Sequence, residues 1–98
     1  MKEKLETLGV SSYVYEELLS TDTATLSNLE LNWDTVSKNI QYLKSLGLTC
    51  IDELLLYSPL VFLLNHNDLE NKIKRLDKDA FTAEVNEDFF KIEQLYQD

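Results

Sequence analysis

The chain reads as all-α: a small single-domain helical array of about five to seven short helices. Three observations predict this. Leucine, Glu, Asp, Lys and Asn dominate the composition, while two glycines and one proline leave little material for hairpins. Apolar residues recur at spacings of three and four, the period of one helix face. Start and stop signals punctuate those runs at helix-length intervals. With 98 residues and an apolar share of 44%, the whole chain, 1–98, is expected to form one globular domain with a modest core.

The N-terminal third opens with Leu5, Leu8 and Val10, a short helix stopped at Gly9. Tyr13, Glu16, Glu17, Leu18 and Leu19 suggest a second helix. Ser20 to Asn28 is rich in Thr and Ser and reads as a loop or a short capped turn. Asn32 then caps a helix from Trp33, whose face is Trp33, Val36, Ile40, Leu43 and Leu46. Gly47 stands where a left-handed residue is wanted.

Thr49 to Asp52 reads as a capping box, opening a helix that points Ile51, Leu54 and Leu55 inward and ends near Tyr57. Ser58 and Pro59 restart the chain, because proline at the first helical position loses no bond. Leu60 to Leu64 follows as a short buried helical turn. Asn67 to Glu70 is a second capping pattern, with Leu69, Ile73 and Leu76 on its face. Asp77 or Asp79 starts a final helix over 79–97, striped by Phe81, Val85, Phe89, Ile92 and Tyr96. Asn86 is an alternative cap that would split it.

Parts of the chain echo one another. Leu5 to Val10 parallels Leu43 to Leu48, Glu17-Leu18-Leu19 parallels Glu53-Leu54-Leu55, and Ile40 with Leu43 parallels Ile73 with Leu76. Two stacked units, 1–43 and 43–76, followed by the C-terminal helix, are one reading; coincidence is the other, since a leucine-glycine helix ending is common.

The second copy carries Leu43, Leu46, Gly47, Leu48, Ile51, Leu54, Leu55, Pro59, Leu63, Leu64, Leu69, Ile73 and Leu76. Over 42–76 it resembles the helical repeat of mitochondrial transcription termination factor-like proteins. That family stacks triple-helical repeats into a curved solenoid that binds duplex nucleic acid. The resemblance implies helix packing around Gly47, Pro59 and the leucines. It also implies an alternative function, nucleic-acid binding, for which Lys72, Lys74, Arg75 and Lys78 form the densest basic stretch. The chain departs from the family in having room for about two units. Asp68, Glu70, Asp77 and Asp79 also neutralise the basic stretch, and no family contact carries over to a named residue. The segment Leu46 to Leu55 is more loosely similar to helix-hairpin-helix segments, but Gly47 alone does not make their phosphate-binding hairpin.

Charge bears most directly on partners. Eighteen acids against nine bases give a net charge of -9, and Arg75 is the single arginine. Phosphate-led binding needs lysines and arginines, so the balance counts against nucleic acid and towards a basic protein partner. Met1 is followed by Lys-Glu-Lys rather than an apolar leader, and the charge-free run from Leu54 to Asn67 is too short to span a bilayer. A cytoplasmic location without membrane contact is the expectation.

No catalytic constellation or metal-ligand spacing stands out, and no cofactor is implied. His66, the single histidine, lacks a visible catalytic partner and reads as a loop or cap residue. Cys50 near a helix start reads as a buried small apolar residue. Asp77, Asp79, Glu87 and Asp88 lack the glycine and distal Glu of a calcium loop. The five tyrosines suit an interface or the rim of a small core equally. Phe90 is more pointed. If Phe89 faces the core, Phe90 and Leu95 form an exposed apolar strip bordered by Glu84, Glu87, Asp88 and Glu93. These six residues are the candidate protein-interaction site. The expected function is a non-enzymatic interaction or regulatory module, facing a basic, nucleic-acid-handling protein or a second copy of itself.

Overall fold

Four of the helical segments start where a side chain, Asp22, Asn65, Asp77 or Asp88, accepts from the first unpaired N–H groups. The computed structural model describes residues 1–96. Its helices are α1 (Lys2–Thr7), α2 (Ser12–Thr21), α3 (Thr23–Leu31), α4 (Trp33–Ser45), α5 (Ile51–Tyr57), α6 (Leu60–Leu63), α7 (His66–Lys74) and α8 (Lys78–Glu87). A 3₁₀ segment, Phe89–Leu95, closes the described chain. There is no strand among the described residues. The all-α reading is therefore correct.

Several helices begin on different residues from those the sequence suggested. Ser20 to Asn28 is not a loop: Asp22 accepts from the Thr25 N–H at 3.1 Å and the Thr25 hydroxyl at 2.6 Å, which nucleates α3. Asn32 precedes α4 without capping it, because its amide donates back to the Asn28 carbonyl at 2.9 Å. Asn65, not Asn67, caps α7 by accepting from the Asn67 and Asp68 N–H groups. Asp77 caps α8 as expected.

Two expected caps act across the fold instead. Asp52 reaches from α5 to the start of α2, accepting from Ser11 N at 3.1 Å and Ser11 Oγ at 2.7 Å. Asn86 leaves α8 to accept from Thr49 N at 2.9 Å and donate to the Gly47 carbonyl at 3.1 Å. The break in the C-terminal helix therefore falls at Asp88. Its extended backbone ends α8, and its carboxylate accepts from Phe90 N at 3.1 Å to start the 3₁₀ turns. Position 97 of the expected helix lies outside the described residues.

The core gathers around α4, which packs on α3, α5, α6 and α7. Val36, Ile40 and Leu43 are fully buried on it, with Leu54, Leu55, Phe62, Leu69 and Ile73 from its neighbours. Trp33 and Leu46, expected on the same face, are only half-buried at its two ends. Leu76 lies past the end of α7 and is 37% exposed, so the apolar face of α7 is Leu69 and Ile73. The radius of gyration, 12.7 Å, matches the roughly 13 Å expected of a single domain this long.

The echoed segments correspond in part. Gly9 and Gly47 each end a helix with positive φ, +85° and +99°, a conformation that favours glycine. Leu18 and Leu54 are both buried. Their neighbours diverge: Leu55 is fully buried, whereas Leu19 is half exposed.

Candidate functional site

The C-terminal break decides where the aromatic rings go. Because the chain leaves α8 at Asp88 and tightens into 3₁₀ turns, Ile92 and Leu95 point into the core while Phe90 stays outside. Leu95 is 4% exposed and cannot belong to an exposed strip with Phe90; residues three apart eclipse in 3₁₀ geometry, so Leu95 follows Ile92 into the core. Tyr57, at the end of α5, takes its place. It stacks on Phe89 at 5.6 Å between ring centroids and lies 6.5 Å from Phe90, and the two phenylalanines are 4.5 Å apart. Tyr57 is 61% exposed and Phe90 51%. Such a patch in a small domain is costly to leave in water unless something covers it.

Tyr13 on α2 extends this face and is 49% exposed. Burial, then the negative charges of Asp52 and Glu53 and the nearby Tyr57, push its phenol above the ordinary tyrosine range. This places Tyr13 beside the two α5 carboxylates and Tyr57. Sequence reasoning missed Tyr57 as part of this surface, because it meets Phe90 only once α5 and the 3₁₀ segment pack together, and Tyr13 joins it through the packing of α2 on α5.

The remaining predicted interaction residues divide. Glu87 and Asp88 are exposed beside Phe90 at the chain break. Glu93 is half-buried, and its charge acts on the Tyr96 phenol, which burial pushes up first. Glu84 sits elsewhere, in a shallow groove with Leu76, Asp77, Ala80, Phe81 and Gln94.

The alternative basic patch is partly occupied. Lys72 Nζ donates to the Leu95 carbonyl at 2.7 Å and so ties α7 to the 3₁₀ segment. Lys74 pairs with Glu70 at 3.4 Å. Arg75 and Lys78 are exposed at the α7–α8 turn, with Asp77 between them capping α8.

A polar cluster lies where α4, α6 and α7 meet. Asn39 is fully buried and donates to the carbonyls of Phe62 at 2.9 Å and Leu64 at 2.8 Å. A four-residue helix has few internal bonds, and Asn39 supplies partners for its unpaired C-terminal carbonyls. These two donations fix the amide, so its oxygen faces His66 Nδ1 at 2.8 Å. His66 Nε2 lies 2.6 Å from Glu70, and the ring edge meets Tyr42 at 5.9 Å. Burial alone would raise the Glu70 carboxyl, but hydrogen bonds from Lys74 and His66, with their charges, hold it below the usual range. Burial, helped by Glu70, raises Tyr42.

This cluster has the outline of a base and its orienting groups but holds no nucleophile. Its members bond one another and the backbone, which is a structural use. Cys50 lies elsewhere, buried, with its Sγ 3.7 Å from the Val85 carbonyl, and burial followed by Glu53 pushes the thiol up, away from the reactive thiolate. Among the described residues no His, Cys, Asp and Glu side chains gather as a metal-holding group, and no helix is long and apolar enough to cross a membrane.

Fold and surface together define a small acidic all-α domain with an exposed aromatic face. No protein-family model matches the chain, and no curated protein or solved structure matches it either.

Proposed function

We propose that this chain is a non-enzymatic protein-interaction module, working as an adaptor or regulator through the face formed by Tyr13, Tyr57, Phe89 and Phe90. The observation that carries the reading is the Tyr57–Phe90 exposure: two large rings stay more than half in water although they are stacked into an ordered group. Aromatic side chains of this kind are the usual anchors of protein interfaces.

The nucleic-acid alternative would rest on Arg75 and Lys78, since Lys72 and Lys74 already hold internal partners. A mobility-shift titration at low salt tests it, because phosphate-led binding is strongest there. The interaction reading is tested by placing a photo-crosslinking residue at position 90 and, separately, at exposed position 31. Discrete adducts with cellular proteins are expected from 90 and not from 31. Identical adduct patterns from both would overturn it.

A further inference from the structure

We infer that the occupant of this face is a cationic polypeptide segment, one that lays arginine or lysine side chains over Tyr57 and Phe90; this rests on the interaction reading above. Charge supports that occupant. The elements framing the rings are α2, α5 and the 3₁₀ segment. The first two carry four carboxylates, Glu16, Glu17, Asp52 and Glu53, and no lysine or arginine, although Lys2 of α1 pairs with Glu16 at 3.2 Å. Asp52, held by its bonds to Ser11 at the start of α2, and Glu53 next to it stand on the α2–α5 side of the face. Glu87 and Asp88 stand at its other end, beside Phe90. Lys91 is the cation contributed by the 3₁₀ segment.

Exposed ring faces attract guanidinium and ammonium groups through the aromatic quadrupole, and flanking carboxylates add to that attraction. The rings do not form a cage for a single small cation: Tyr57 and Phe89 lie nearly parallel, 24° apart, and stack on each other rather than around a space. The surface they offer is flat, which suits side chains from an extended or helical segment.

The same charges disfavour the other occupants. A second copy would bring its own Asp52, Glu53 and Asp88 against these, since a two-fold interface sets the same patch on both sides. With -9 on each chain, that pairing is repulsive. Nucleic acid and anionic lipid are disfavoured for the same reason.

The test uses the isotope-labelled full chain and a synthetic peptide of alternating arginine and leucine pairs, with versions carrying glutamine or glutamate for arginine. NMR shift changes are expected to cluster on Tyr13, Tyr57, Phe89 and Phe90 with the arginine peptide. Affinity is expected to fall about tenfold or more with the glutamine peptide, with Glu53→Lys, or with Tyr57→Ser plus Phe90→Ser, and to weaken as salt rises. Equal binding of the arginine and glutamine peptides at this face overturns the cationic occupant and leaves the interaction reading intact. Shifts scattered over the acidic surface and unchanged in the serine variant overturn both. Concentration-dependent dimerisation that Phe90→Ser abolishes makes a second copy the occupant and overturns this inference. Glu53→Lys alters no ring, so it remains informative if the serine variant folds poorly.

Discussion

The polar cluster at α4, α6 and α7 and the aromatic face at α2, α5 and the 3₁₀ segment invert the usual rule of burial. In the first, a fully buried Asn39 and a half-buried His66 find partners for their polar atoms inside the protein. In the second, rings that would stabilise a core are left in water. A buried polar group with its bonds made is explained by the fold it holds together. An ordered apolar group without a cover is not, and for that reason the second region, rather than the histidine, is the candidate for function.

Changes in the cluster should have the largest effect on stability. Asn39→Ala leaves the Phe62 and Leu64 carbonyls and His66 without their partner, and should cost about 2–4 kcal/mol in urea unfolding. Gly47→Ala meets only Thr82, at an ordinary 3.6 Å, so its cost of about 1 kcal/mol comes from backbone strain at positive φ. Gly9→Ala carries the same strain and also crowds the Lys44 ammonium that bonds the Leu8 carbonyl, so it should cost more than Gly47→Ala in urea titration.

Titration offers a finer test. Tyr42 is raised in the folded state, so its contribution is complete below the ordinary tyrosine pKa of about 10 and is lost as pH rises through the folded value. Its hydroxyl is buried with no hydrogen-bond partner among the described residues. Tyr42→Phe should therefore be neutral or stabilising, by up to about 1 kcal/mol at pH 7, and should reduce the alkaline loss of stability seen in pH-dependent melting. Glu70 and Asp22 behave oppositely. Both are lowered, Asp22 by its Thr25 hydrogen bonds, so their contributions are present above the ordinary carboxylate range and are lost as pH falls through the folded values. Glu70→Gln should reduce the acid-induced loss slightly, because the pair it forms with Lys74 is well exposed.

The fold class was legible because helix periodicity and the stops at Gly9, Gly47 and Pro59 are local properties. The caps were less so. Asp, Asn and Ser residues stand near most helix starts, and sequence does not say which will instead bond across the fold, as Asp52 does to Ser11 and Asn86 to Thr49. Of the interaction site, Phe90 and its flanking Glu87 and Asp88 were visible, since they adjoin in the chain. Leu95 was misplaced because a 3₁₀ segment turns faster than the assumed α-helix. Tyr57 escaped because its proximity to Phe90 is purely tertiary, and Tyr13 because it joins the face through the packing of α2 on α5.

The central claim is that the aromatic face is not needed by the fold. It is tested most directly by urea unfolding of the Tyr57→Ser, Phe90→Ser double variant beside the parent protein. A loss of about 1.5 kcal/mol is predicted, the low end of the worth of three ring pairs because the rings are largely in water, and below that of Asn39→Ala. A loss equal to or greater than that of Asn39→Ala would show that the rings belong to the core and would contradict the account.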